Sequence, residues 1–106
     1  MLFDDWKDKD PLKVSPTLLW DYDLSIFDWE KGKVIVVQRI VERGWDNDFY
    51  AAMQLYGGLE AFIEIVKQVP YLNERDMNFV SKAFQIDLND LQCYKNRQYR
   101  EQLLNS

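Results

Sequence analysis

The chain has 106 residues, 18 Asp and Glu against 13 Lys and Arg, and a formal net charge of -5. That length builds one domain with a modest core, and a 47% hydrophobic, 15% aromatic composition is that of a folded chain rather than a disordered tail. The absence of histidine removes the side chain best suited to proton transfer near neutral pH, and the single cysteine, Cys93, has no internal disulfide partner.

Residues 1–14 alternate charges around Phe3 and Trp6 without a period, and are expected to form a flexible or extended N-terminal arm. Residues 15–106 then make a single helical domain. Ser15 before Pro16 reads as an N-cap followed by proline at the first helical position, so Ser15 to Trp20 is a short helical turn. Asp21 to Phe27 is a loop. Leu18, Leu19, Trp20, Ile26, Phe27 and Trp29 supply an apolar cluster, which in a small domain is more often core than binding site.

Asp28 is the expected N-cap of a first long helix that ends at Gly44 in a left-handed residue. Val34 to Val37 also suits a strand, but the apolar spacing continues at helical period through Ile40 and Val41. Asp46 or Asn47 caps a second helix carrying Phe49, Ala52, Met53 and Tyr56 inward, stopped by Gly57 and Gly58. Leu59 to about Val69 is a third, ended by Pro70. Asn73 caps a fourth, with Met77, Val80 and Phe84 inward. After a break at Ile86 and Asp87, a last helix begins near Asn89 and runs to about Leu103. The predicted fold is all-α, a compact bundle of five or six short helices.

Little in the chain points to a reaction centre. Asp21, Asp23 and Ser25 alternate like the first ligands of a calcium loop, but the sixth position holds Ile26 where glycine is needed and the twelfth holds Gly32 where a bidentate glutamate is needed. Cys93 has no histidine to activate it, and Gly57-Gly58 lacks the Lys-Ser/Thr of a phosphate-binding loop. The expectation is no enzyme, no metal and no cofactor, with a small enzyme of unknown activity as the remote alternative. No stretch approaches 18 uninterrupted apolar residues, and Met1 to Pro11 is charged where a signal peptide is apolar, so the chain is expected in the cytoplasm without a membrane partner.

Charge is unevenly spread. Residues 1–66 hold 7 basic against 13 acidic side chains, a balance of -6, while residues 67–106 hold 6 against 5, a balance of +1. Only the C-terminal part can approach a phosphate backbone without penalty. There, Asn73 to Phe84, the break, and the helix from Asn89 have the lengths of a helix-turn-helix unit. In that alternative reading the protein is a DNA-binding transcriptional regulator using about residues 73–100. Asn89 and Gln92 would meet base edges, and Lys95, Arg97 and Arg100 would meet phosphates.

The segments L-L-W-D-Y-D (Leu18 to Asp23), F-D-W-E-K (Phe27 to Lys31), I-V-E-R-G (Ile40 to Gly44), L-Y-G (Leu55 to Gly57) and C-Y (Cys93, Tyr94) resemble a family of short uncharacterised bacterial domains. Members are often encoded beside nucleotidyltransferase-type toxins of the abortive-infection class. The resemblance implies an antitoxin-like or accessory protein with such a toxin as its partner, and implies no catalytic residue. The partner-binding candidates are acids beside aromatics: Asp21, Asp23, Trp45, Asp46 and Asp48.

Overall fold

The computed structural model describes residues 3–105. Among the described residues there are five α-helices and no strand: α1 (Lys33–Arg43), α2 (Asp46–Tyr56), α3 (Leu59–Gln68), α4 (Glu74–Phe84) and α5 (Gln92–Asn105), with 3-10 turns at Asp4–Asp8, Pro16–Leu19 and Leu88–Asp90. None of these helices is long and apolar enough to cross a membrane. The radius of gyration of 14.4 Å exceeds the roughly 13 Å expected of a compact chain of this size, and the long axis of 50 Å reflects an elongated body.

The Val34 to Val37 run is helical, as its period required, and Val36, Val37, Ile40 and Val41 are buried. Several helix ends differ from expectation. Asp28 does not cap α1, which starts five residues later. Its carboxylate accepts from the Glu30 and Lys31 amides in a turn before the helix. Gly44 is extended, not left-handed, because the link to α2 is so short that the chain must straighten at once to enter the next helix. The cap of α2 is also displaced, from Asp46 or Asn47 to Trp45.

The glycine stop after α2 follows expectation: Gly57 is left-handed at φ 102°, and the Gly57 and Gly58 amides both donate to the Met53 carbonyl, at 3.1 and 2.7 Å. Asn73 caps α4 by accepting from the Asp76 amide at 2.8 Å. The helix expected from Asn89 begins at Gln92 instead. Asp87 first caps the 3-10 turn that contains Asn89, accepting from the Asn89 amide at 2.9 Å.

Phenylalanines form the centre of the core. Phe49 of α2 lies 5.8 Å from Phe62 of α3, and Phe62 lies 5.5 Å from Phe84 of α4. Phe3 stacks on Phe49 at 4.8 Å and is itself buried. Residues 3–13, expected as an arm, therefore run along α2. The Tyr50 hydroxyl donates to Asp5 at 2.6 Å, and the Gln54 carboxamide accepts from the Leu12 amide at 2.9 Å. Trp6 covers Gly58, where an added Cβ would come within 2.8 Å of the indole.

Candidate functional site

The five acids and aromatics proposed for partner binding fall into different environments. Asp48 is 1% exposed and faces inward. Its Oδ1 accepts from both the amide and the hydroxyl of Ser15, each at 2.8 Å, and its Oδ2 accepts from the Trp45 amide at 2.9 Å. One carboxylate thus joins the start of the Pro16–Leu19 turn to the start of α2, and Asp48 is corrected from a contact residue to an internal clamp. Its charge also meets the positive end of the α2 dipole.

Asp21 is committed as well. Both of its oxygens accept from the Arg39 guanidinium, Nη2 to Oδ2 at 2.9 Å, while Arg39 Nη1 also donates to the Leu18 carbonyl at 3.1 Å. The Arg39 hydrogen bond holds the Asp21 carboxyl below the usual carboxylate range. Asp23 is exposed and accepts from the Ser25 amide and hydroxyl at 3.0 and 2.6 Å, which likewise lowers its pKa. Asp21 and Asp23 are therefore engaged by Arg39 and Ser25. Among the described residues, no group of three or more Cys, Asp or Glu side chains is placed to hold a metal.

Trp45 and Asp46 also face solvent, Trp45 at 79% exposure. The structure adds Trp20, which is 76% exposed although its neighbours Leu18 and Leu19 are buried. A 3-10 turn rotates about a third of a circle per residue, so with Leu18 and Leu19 facing inward the next side chain is directed outward. Ile26, also assigned to the core from sequence, is exposed on the following loop. Trp20 borders a recess with Arg39, Glu42 and Arg43 at the C-terminal end of α1, and Trp45 follows that same end by two residues. A separate apolar groove of about 560 Å³ lies between residues 12–16, Leu24, Trp29 and the α2 residues Ala51 and Leu55.

The DNA-contact candidates are dispersed. Asn89 lies in the 3-10 turn and not on α5. Gln92 donates to Asn96 at 2.8 Å, and Arg97 is paired with Glu74 at 3.6 Å and Glu101 at 3.4 Å. The link from α4 to α5 spans seven residues, 85–91, and contains its own helical turn, whereas a helix-turn-helix link has about three or four.

The molecule is thus a small all-α domain that exposes tryptophans near one helix end and an apolar groove beside another helix. Residues 14–66, half of the chain, match the model of DUF6922, a family of unknown function, and the protein belongs to that family. No curated protein and no solved structure matches the chain.

Proposed function

We propose that the protein is a non-enzymatic interaction module acting in the cytoplasm, the antitoxin-like or accessory partner of a nucleotidyltransferase-type toxin. The observation that carries the reading is the exposure of Trp20 and Trp45, 76% and 79%, at the end of α1. Tryptophan is the residue most enriched among those that dominate binding energy, and an indole offers about 150–250 Å² of contact surface. Both lie within residues 1–66, which have a charge balance of -6. A toxin that handles nucleotides presents a basic groove to its substrate, and an acidic partner surface accelerates encounter with such a groove. The sequence resemblance supplies the toxin as the class of partner.

Co-expression with the product of the neighbouring gene tests the reading. Wild type is expected to co-purify with that product and relieve its growth arrest, and Trp45→Ala or Trp20→Ala to weaken the complex by about 30-fold or more without loss of helical content. A wild-type chain that neither forms the complex nor relieves the arrest overturns it.

A further inference from the structure

We propose that the face of α5 carrying Lys95, Tyr99 and Arg100, together with Tyr71, binds a nucleotide unit, with the base stacked on the tyrosine rings and the phosphate held by the two cations. A recess of about 350 Å³ opens between the Pro70-Tyr71 corner and α5, lined by Tyr71, Asn96, Tyr99 and Arg100. That volume lies in the roughly 300–1,000 Å³ range of small-molecule sites. Tyr71 is 50% exposed and Tyr99 63%, so two aromatic rings border an open space rather than pack into the core. The Arg100 guanidinium lies over the Tyr71 ring, 5.9 Å from its centroid.

The charges sort by helix face. Residues 95, 96, 99 and 100 share one side of α5, since positions three and four apart are neighbours on a helix. On the other side, Arg97 binds Glu74 of α4 and Glu101, and the recess there is lined by Glu74, Tyr94 and Gln98. Glu74 and Glu101 are thereby engaged by Arg97 on the α4 side. Among the described residues neither Lys95 nor Arg100 has a carboxylate partner. Two cations without a carboxylate partner thus flank an exposed tyrosine on the part of the chain whose balance is +1.

The corner is also held in place. Asn96 donates to the Pro70 carbonyl at 3.0 Å and accepts from Gln92 at 2.8 Å, so the proline that precedes Tyr71 is tied to α5. The ring of Tyr71 is presented from a backbone whose freedom is already limited. Two exposed aromatic rings at one recess, with a guanidinium and an ammonium beside them, match a planar base joined to a phosphate. Stacking of that kind tolerates any base, and it requires an unpaired one. A nucleotide of this chemistry comes either as a free mononucleotide or within a single strand.

Fluorescence anisotropy with a labelled oligouridylate, calorimetry with UMP, and a duplex of matched length separate the sources. Binding of UMP assigns the site to free nucleotides, and binding of the oligomer alone assigns it to single strands. Either result supports the proposal when Tyr71→Ala and Tyr99→Ala each weaken it by about five- to 150-fold, the range of one lost base stack. Tyr99→Phe keeps the ring and is expected to bind within about twofold of wild type. Arg100→Ala lowers the slope of log affinity against log salt by about one. Tyr71, Tyr99 and Arg100 are all at the surface, so circular dichroism is expected to stay that of wild type. The proposal is overturned if neither ligand binds, if the duplex binds as well as the single strand, or if the tyrosine variants bind like wild type.

Discussion

Removing the Asp48 carboxylate tests how the two tryptophan-bearing segments are held. In Asp48→Ala the amide of Ser15, the hydroxyl of Ser15 and the amide of Trp45 lose their shared acceptor, three bonds of 2.8 to 2.9 Å at a side chain only 1% exposed. Hydrogen bonds to a charged group contribute about 1.5–3 kcal/mol each, partly offset by desolvation of the carboxylate. The change leaves three neutral donors without their acceptor, at about 1–3 kcal/mol each and less where water reaches them, for an expected total of about 3–5 kcal/mol, a large share of the ~5–15 kcal/mol that keeps a domain folded. Asp48→Asn retains one acceptor oxygen but turns an NH2 toward a donor, and is expected to cost about 2 kcal/mol. The neighbouring Asp46→Ala, which removes only an exposed charge from the first turn of α2, is expected to cost about 0.3–1 kcal/mol. Urea unfolding followed by circular dichroism measures all three. Should Asp48→Ala and Asp46→Ala fall within about 0.5 kcal/mol of each other, the clamp does not carry the stability assigned to it.

Gly58→Ala combines a φ of +124° with a Cβ placed 2.8 Å from Trp6, and Gly57→Ala has a φ of +102° but no neighbour closer than 3.9 Å. Gly57→Ala is therefore expected to lose about 1–2 kcal/mol from backbone strain and Gly58→Ala more, by an amount that Trp6→Ala restores in a double-mutant cycle. Phe3→Ala empties a buried ring position beside Phe49 and is expected to cost about 3–5 kcal/mol in the same assay, showing the N-terminal segment to be part of the core. In carboxyl-detected NMR titrations, Asp21 and Asp23 are expected to titrate below 3.8, held down by Arg39 and by Ser25, and Glu42 and Asp76 above 4.5 and 3.8, pushed up by burial. The first pair contributes stability that is present above the unfolded carboxylate pKa and lost as pH falls through the depressed folded values. The second pair acts in the opposite sense, since protonation at its raised values relieves buried charge. The Cys93 thiol, buried and raised in pKa by that burial, is expected to react with a disulfide reagent only through opening of the fold, so its rate follows the urea dependence of unfolding.

The elements legible in the sequence were those whose determinants are local. Asn73 caps α4 because its own side chain reaches the amide three residues on, and Gly57-Gly58 stops α2 because only glycine takes the required backbone at no cost. The helical period overrode the strand propensity of Val34 to Val37 for the same reason. Features that depend on distant partners were not legible. Asp48 looks like any first-turn acid until Ser15, 33 residues away, is brought to it, and Asp21 looks free until Arg39 arrives on α1. Trp20 and Ile26 read as core by composition, while the geometry of their turn and loop directs them to water. The start of α5 was misplaced because Asp87 chose a 3-10 turn first, a local competition that spacing alone does not resolve.

Residues 14–66 do not enclose their own core. Phe49 and Phe62 lie inside that span, but the rings they meet include Phe3 before it and Phe84 after it. The helices that expose Trp20 and Trp45 are thus fixed by side chains from both flanking segments, and α4 contributes Phe84 to the centre while its Glu74 anchors the acid-bearing side of α5. One aromatic core therefore carries two regions of different charge: residues 1–66, acidic in balance and bearing the exposed indoles, and a C-terminal helix with two cations that no carboxylate pairs. The segments that bear the indoles rest on packed rings through Phe49, so presenting them to a partner would require little reordering, which would remove part of the entropic cost of association. If both proposals hold, the charge asymmetry would orient approach, a basic protein groove toward residues 1–66 and a phosphate toward α5, so that neither ligand would compete electrostatically for the other's face.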